Sequence, residues 1–242
     1  MGEPVQMLWI GPRLSAMERL AMQSFLANDH PVHLYAYGAI DGVPEGVGVC
    51  DGEEILPRSQ IFMYRDHASY SGFANWFRYE LLFRRGGWWF DTDMVCLRPL
   101  RFDSECVISS ETMVTGRVLA TCSAMRMPAG SAAMEYASRV CREADKETLY
   151  WGDTGPWLMT DAVEKFALWP FVRATETFCP VPPAEWRRVV DADPPRIGDA
   201  VTVHLWNEQW RRNGVDKDGV FAETSLYATL HARYRNAGVP AG

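Results

Sequence analysis

The block Phe73-Ala74-Asn75-Trp76-Phe77-Arg78-Tyr79-Glu80-Leu81-Leu82-Phe83-Arg84-Arg85-Gly86-Gly87-Trp88-Trp89-Phe90-Asp91-Thr92-Asp93 constrains this chain more than any other segment. It reads as a helix over roughly residues 71–85, a stop at Gly86-Gly87, a short apolar strand at Trp88–Phe90, and two carboxylates at the strand's end. Arg84 and Arg85 suit the negative end of the helix dipole, and Gly86 supplies the C-terminal stop. Side chains two apart on a strand share a side, so Asp91 and Asp93 are expected to converge on one ligand. Two hard oxygen ligands at the mouth of a buried strand suit a divalent cation carrying a phosphate group.

Asp-x-Asp by itself is weak, and the chain has three: Asp91/Asp93, Asp191/Asp193 and Asp216/Asp218. The second runs into Pro194-Pro195, which is turn chemistry, and Asp216-Lys217-Asp218-Gly219 reads as a solvated turn. Only the first follows an aromatic strand and a double-glycine break. Its setting, not its spelling, marks it.

The rest of the chain supplies an α/β frame. Val5 to Ile10 reads as a buried strand ending at Gly11-Pro12, and Ser15-x-x-Glu18 is a capping box that opens a helix. His33 to Tyr37 reads as a second strand, and this strand–helix–strand opening is what a parallel α/β sheet requires. Ile40 to Gly52 reads as a glycine-rich loop. No P-loop signature and no Gly-x-Gly-x-x-Gly opening a helix after a strand is present, which disfavours a P-loop kinase and a dinucleotide dehydrogenase. Further along, Cys106–Ile108 and Ser123–Met125 read as strands and Ala132–Glu143 as a helix. Trp151 to Pro156 is a loop opening the next helix, and Val201–Trp206 is a strand that carries His204. No repeat or linker divides the chain, so 1–242 is expected to be one domain.

Composition narrows the function classes. At 48% hydrophobic and 23% charged, the 242 residues are an ordinary globular composition, and a formal charge of −7 without a basic stretch argues against nucleic acid. No run of about 18 apolar residues spans a membrane, and Met1-Gly2-Glu3-Pro4 lacks the basic and apolar regions of a signal peptide. Six cysteines without a Cys-x-x-Cys pair look like reduced core thiols. The expectation is a cytoplasmic enzyme or binding protein.

In order along the chain, Leu8-Trp9-Ile10-Gly11, the block at 73–93, Thr154-Gly155-Pro156 and His204 to Trp210 resemble the DXD-containing sugar-transferase family. That group takes in bacterial capsular and lipopolysaccharide glycosyltransferases, α-1,4-galactosyltransferases and initiating yeast mannosyltransferases, with clostridial toxin glucosyltransferase domains more distant. The resemblance implies a GT-A fold, a Rossmann-like α/β/α sandwich. About residues 1–100 would form the nucleotide-sugar half and about 101–242 the acceptor side. It also implies a nucleotide-sugar donor, UDP-linked by the match at Trp9, a divalent cation, Mn2+ or Mg2+, a carbohydrate or other small acceptor, and retention of anomeric configuration.

The same resemblance carries roles onto residues. Asp93 would bind the metal directly, and Asp91 would contact the donor's ribose and sugar or the metal through water, with Thr92 between them. Arg78 would reach the donor, and Asn75 stands where the family often has aspartate, so the sugar preference can differ here. Trp9 matches the position that lies against uracil, although a core tryptophan fits it equally. His204 is the natural third metal ligand, because imidazole suits manganese, with Asn207 and Glu208 as competitors from the same segment. Trp206 and Trp210 would close over the diphosphate or simply pack. Thr154-Gly155-Pro156 would form the wall where donor sugar and acceptor meet. Glu111 and Asp153 are the carboxylates to test as catalytic groups, and the leaving phosphate acting as base is the alternative. Two rivals remain: a haloacid-dehalogenase-type phosphatase, which Asp91-Thr92-Asp93-Met94-Val95 also fits, and a non-catalytic sugar-binding protein.

Overall fold

The computed structural model describes residues 2–65 and 67–235. Among the described residues eight strands form: β1 (Val5–Trp9), β2 (Val32–Ala36), β3 (Val47–Asp51), β4 (Gly87–Phe90), β5 (Met94–Cys96), β6 (Val107–Thr112), β7 (Val118–Met127) and β8 (Thr202–His204). Seven α-helices accompany them among the described residues: α1 (Ala16–Ala27), α2 (Ser71–Arg85), α3 (Ala132–Glu143), α4 (Leu158–Lys165), α5 (Thr175–Phe178), α6 (Asn207–Arg212) and α7 (Leu226–Tyr234).

Six strands make the central sheet in the order β3-β2-β1-β4-β7-β6, and β5 pairs with β8 in a separate ribbon. The first four of that order run parallel, whereas β7 is antiparallel to both β4 and β6. The α/β class is therefore as the sequence leads one to expect, but the sheet is mixed rather than wholly parallel.

Alternation along the strands builds two cores. Trp88 and Phe90 point into one, with Met7, Met17, Leu20, Phe25, Val203 and Tyr227. Trp89 points into the other, with Phe73, Phe77, Leu81, Met125, Met134 and Met159. α1 and α7 thus cover one face of the sheet, and α2, α3 and α4 the other, a three-layer arrangement. Glu80 ties α2 to α3: its buried carboxylate accepts from Ser138 and Arg84, and it pairs with Arg142 at 3.3 Å.

Some expectations need correction. The Ile40–Gly52 loop contains β3, an edge strand pairing with β2 from Val32↔Val47 to Ala36↔Asp51. Its residues stay half-exposed or exposed, so it carries no apolar run to signal a strand. The Asp216–Gly219 turn is not merely solvated: Asp218 Oδ1 accepts from the Ala16 amide at 2.7 Å, and Lys217 pairs with the fully buried Glu18. The turn satisfies a free donor at the start of α1.

Candidate active site

The order of the sheet reverses at β1. The chain adds β2 and β3 on one side and then places β4 on the other. Loops leaving the C-terminal ends of neighbouring parallel strands diverge at such a point and open a crevice. Trp9 ends β1 and Asp91 follows β4, which sets both at that crevice.

Asp91 and Asp93 do converge, by a different route from strand alternation. β4 stops at Phe90, and the 91–93 segment is a turn: the Asp91 amide donates to the Ser123 carbonyl, and the Met94 amide to the Asp91 carbonyl at 3.0 Å. The turn leads into β5, whose Met94 pairs with His204 of β8. That pairing is what brings a residue more than a hundred positions away onto the motif.

Each carboxylate has its own set of donors. Arg78 Nη1 lies 2.9 Å from Asp91 Oδ1 and 3.2 Å from Oδ2, and Trp89 Nε1 donates to Oδ1 at 3.0 Å. Arg78, only 4% exposed, also donates to the Cys122 carbonyl at 2.7 Å and rests over the Trp89 indole. Arg78 is the buried member of the pair and Asp91 is half-buried, so losing Asp91 would strand a buried charge, at a cost of up to roughly 3–5 kcal/mol. Asp93 Oδ2 accepts from His204 Nε2 at 3.1 Å and from the Asn207 amide at 2.8 Å. The Asn207 amide reaches it because Trp206 turns the chain in the left-handed region, at φ 59°, a conformation costly for a bulky residue. Trp206 recovers some of that cost by stacking on His204, with ring centroids 3.8 Å apart, and by donating from Nε1 to the Val181 carbonyl.

The electrostatics follow from burial and pairing. Burial disfavours a charged imidazole, yet Asp93 beside it outweighs that and holds the His204 pKa well above its ordinary 6.5. Burial likewise disfavours the Asp93 carboxylate, but the adjacent His204 and the Asn207 amide keep its pKa below 3.8. Burial pushes Asp91 above 3.8; Arg78 opposes the shift and the Asp93 charge reinforces it. Glu111, on β6 and within electrostatic reach of His204, is pushed above 4.5 by burial, against the pull of the histidine. Two neighbouring carboxylates with opposed shifts, beside a third raised by burial, are a common signature of a chemical site.

The remaining expected residues fall into three groups. Asn75 belongs to the site's wall: its Nδ2 donates to Thr154 Oγ1 at 3.3 Å, and a Cβ on Gly155 would sit 3.3 Å from that nitrogen. Gly155 therefore allows the 153–157 turn to approach α2 closely. Trp9 stands at the crevice with the Lys217 ammonium 5.6 Å from its ring centroid and a buried, unpartnered Nε1. Thr92 is half-buried in the motif's turn, and Asn207 contributes its backbone amide. Three others take no part in the cluster. Trp210 is fully buried, donating to the Leu205 carbonyl and packing on Tyr227 and Trp186, so it is a core residue rather than a cover for a diphosphate. Asp153 is exposed and accepts from the Tyr150 amide as a turn cap. Glu208 pairs with Arg211 and Arg212 instead of turning to Asp93.

Some participants gave no readable sequence signal. Tyr64 holds Thr154 Oγ1 at 2.9 Å, and Tyr79 donates to the Thr154 carbonyl at 3.0 Å. Cys179 lies 4.0 Å from His204 Nδ1. Trp89 is the exception, since it lies in the 73–93 block itself, two residues before the carboxylate to which its Nε1 donates.

Among the described residues, Asp91, Asp93 and His204 each offer one ligand atom, all within 4.8 Å of one another. Two carboxylates and an imidazole fit a divalent cation of the manganese or magnesium type, with further positions free for phosphate oxygens and water. No helix among the described residues is long and apolar enough to cross a membrane.

No family model matches this chain, and no curated protein matches it. Solved structures that resemble it include the PaToxG glycosyltransferase, at 14% identity and TM-score 0.47, covering 99% of this chain and 86% of that one. A cysteine-to-serine double mutant of a transferase aligns at 13% identity and TM-score 0.45, over 67% of this chain and 84% of the other. The apo form of the glycosyltransferase GlyE of Streptococcus pneumoniae TIGR4 aligns at 10% identity and TM-score 0.39, over 73% of this chain but only 46% of its own length. With TM-scores below 0.5, these likenesses decide nothing about the chemistry of this chain, which rests on its own site.

Proposed function

We propose that this protein is a metal-dependent glycosyltransferase of GT-A type that moves a sugar, with retention of configuration, from a uridine-diphosphate donor to a carbohydrate acceptor. The observation that carries the proposal is the convergence of Asp91, Asp93 and His204 at the crevice between β1 and β4. Parallel-sheet proteins bind nucleotides at such a crevice.

Asp93 and His204 are the direct ligands in this scheme, with Asp93 aimed by the Asn207 amide. A bound divalent ion supplies Lewis-acid stabilisation of the charge that builds on the departing diphosphate. Arg78 keeps Asp91 in place and adds a fixed positive charge beside the donor's phosphates. In this scheme Asn75 and Glu111 face the donor sugar, where each can hydrogen-bond a hydroxyl. Because Asp153 is exposed and serves a turn, Glu111 is the stronger candidate for a catalytic carboxylate. A haloacid-dehalogenase-type phosphatase is disfavoured, since no Gly-Asp-x-x-x-Asp or adjacent acidic pair follows Asp91 in the chain to complete its magnesium site.

A panel of nucleotide sugars incubated with Mn2+ tests the proposal. One donor of the uridine series is expected to be hydrolysed slowly without acceptor, and Asp93→Ala to remove nearly all of that turnover. Asp191→Ala is expected to behave like the wild type. Full turnover in a chelator, or equal loss from both variants, refutes it.

A further inference from the structure

The turn beside the site exposes an unusual set of side chains. Tyr150, Trp151 and Trp157 keep 72%, 39% and 47% of their surface in solvent within eight residues of one another. Large rings bring most of their stabilisation when buried, so several left open on one short turn mark a binding surface more often than a packing accident. The turn itself is anchored. Thr154 and Gly155 at its centre are buried, and Tyr64, Asn75 and Tyr79 hold Thr154 by hydrogen bonds.

Both indoles are oriented. The Arg212 guanidinium lies 4.5 Å from the Trp151 ring centroid, and Arg117 lies 5.4 Å from that of Trp157. A cation over one face of an indole restrains the ring and leaves the opposite face to a ligand. Both ends of the assembly lead to the metal cluster. Arg212 closes α6, whose first amide binds Asp93. Asn75, which contacts Thr154, lies one helical turn before Arg78, the partner of Asp91.

The geometry points to an acceptor platform in which Trp151 and Trp157 hold a saccharide across the turn that walls the site. This inference rests on the glycosyltransferase reading and names its second substrate. A pyranose presents a flat face of polarised C–H groups that complements the negative face of an indole, while its hydroxyls project sideways. Such hydroxyls would meet polar groups at this rim, among them the exposed Asp153 carboxylate. A nucleic acid is a poor match for a chain of formal charge −7. A protein partner would favour a continuous apolar patch over rings separated by charged groups.

The test uses an array of immobilised glucose, galactose, mannose and N-acetylglucosamine oligosaccharides in both anomeric linkages, read with labelled protein. The wild type is expected to retain a subset of them. Trp151→Ala and Trp157→Ala should each weaken that binding roughly three- to tenfold, the loss typical of one aromatic contact. Trp169→Ala removes an indole of similar exposure (41%) outside the turn and should leave binding unchanged. Melting curves of all three variants, with and without Mn2+, report fold and metal-site integrity. The platform is overturned if no oligosaccharide binds the wild type, if both turn variants bind as well as the wild type, or if Trp169→Ala loses as much as they do. Donor hydrolysis on the same preparations separates the two ideas. Hydrolysis without the tryptophan pattern removes only the platform, and the tryptophan pattern without hydrolysis of any donor removes the transferase.

Discussion

At the scale of single residues, the site turns on a proton shared between His204 and Asp93. Their 3.1 Å contact holds the histidine pKa above 6.5, and a metal ion must displace that proton to use the imidazole. Manganese affinity is therefore expected to fall as pH is lowered through the His204 pKa. His204→Ala should lower affinity on the order of 10–100-fold and flatten its pH dependence. The metal-free protein should behave in the opposite sense. A raised folded-state pKa contributes stability that is complete below 6.5 and is lost as pH rises through the raised value, so the melting temperature should decline on that side in the wild type alone. Calorimetric Mn2+ titrations across pH, with paired melts, check both trends, and an unchanged affinity in His204→Ala would make the histidine purely structural. The residue types of this pair were legible in the sequence, as were the motif's aspartates. The partners that tune them were not. Arg78 was named from the same block as Asp91, but its pairing with that carboxylate was not, and Cys179 beside His204 was not named at all, because pair electrostatics depends on distances that no local pattern encodes.

At the scale of elements, the clearest device is the stop between α2 and β4. Gly86 sits at φ 64°, and a Cβ there would lie 2.5 Å from the Ala129 amide nitrogen and 2.9 Å from the Met127 carbonyl oxygen. Gly86→Ala therefore meets both left-handed strain and a backbone clash that cannot be relieved by a rotamer change. A loss of about 2–4 kcal/mol is expected in urea unfolding, with the metal site weakened because the strand leading to Asp91 shifts. Gly130→Ala, at φ 75° with open space around its Cβ position, should cost only about 1 kcal/mol. A small effect at Gly86 would mean that α2 and β4 tolerate a different join. The extents of α2 and α3 were readable because each carries a long apolar period and recognisable ends. β3 and β5 were not, since five half-exposed or exposed residues and three buried ones are too short to establish a period.

For the whole molecule, the proposed donor site lies at the crevice of the β1/β4 reversal, whose lining would set the preference for a nucleotide. Trp9 offers a ring at the end of β1, and its buried Nε1 has no protein partner. Uridine diphosphate is expected to bind more tightly than guanosine diphosphate in the presence of Mn2+, and neither to bind well without it. Calorimetry with both nucleotides decides this, and tighter guanosine diphosphate binding would redirect the donor toward mannose or fucose. The sequence by itself determined the elements that carry long periodic patterns, the capping box at Ser15, and the presence of two carboxylates after an aromatic strand, because propensity, capping and alternation act between neighbours in the chain. Only the tertiary structure decided the rest: the antiparallel β7 between β4 and β6, the removal of Trp210 into the core, the docking of the Asp216–Gly219 turn on α1, and the arrival of His204 on Asp93 through the β5–β8 ribbon. Those outcomes depend on which faces meet once the sheet forms. Pairing between distant segments is selected by the burial of whole surfaces, to which each residue contributes only a small part.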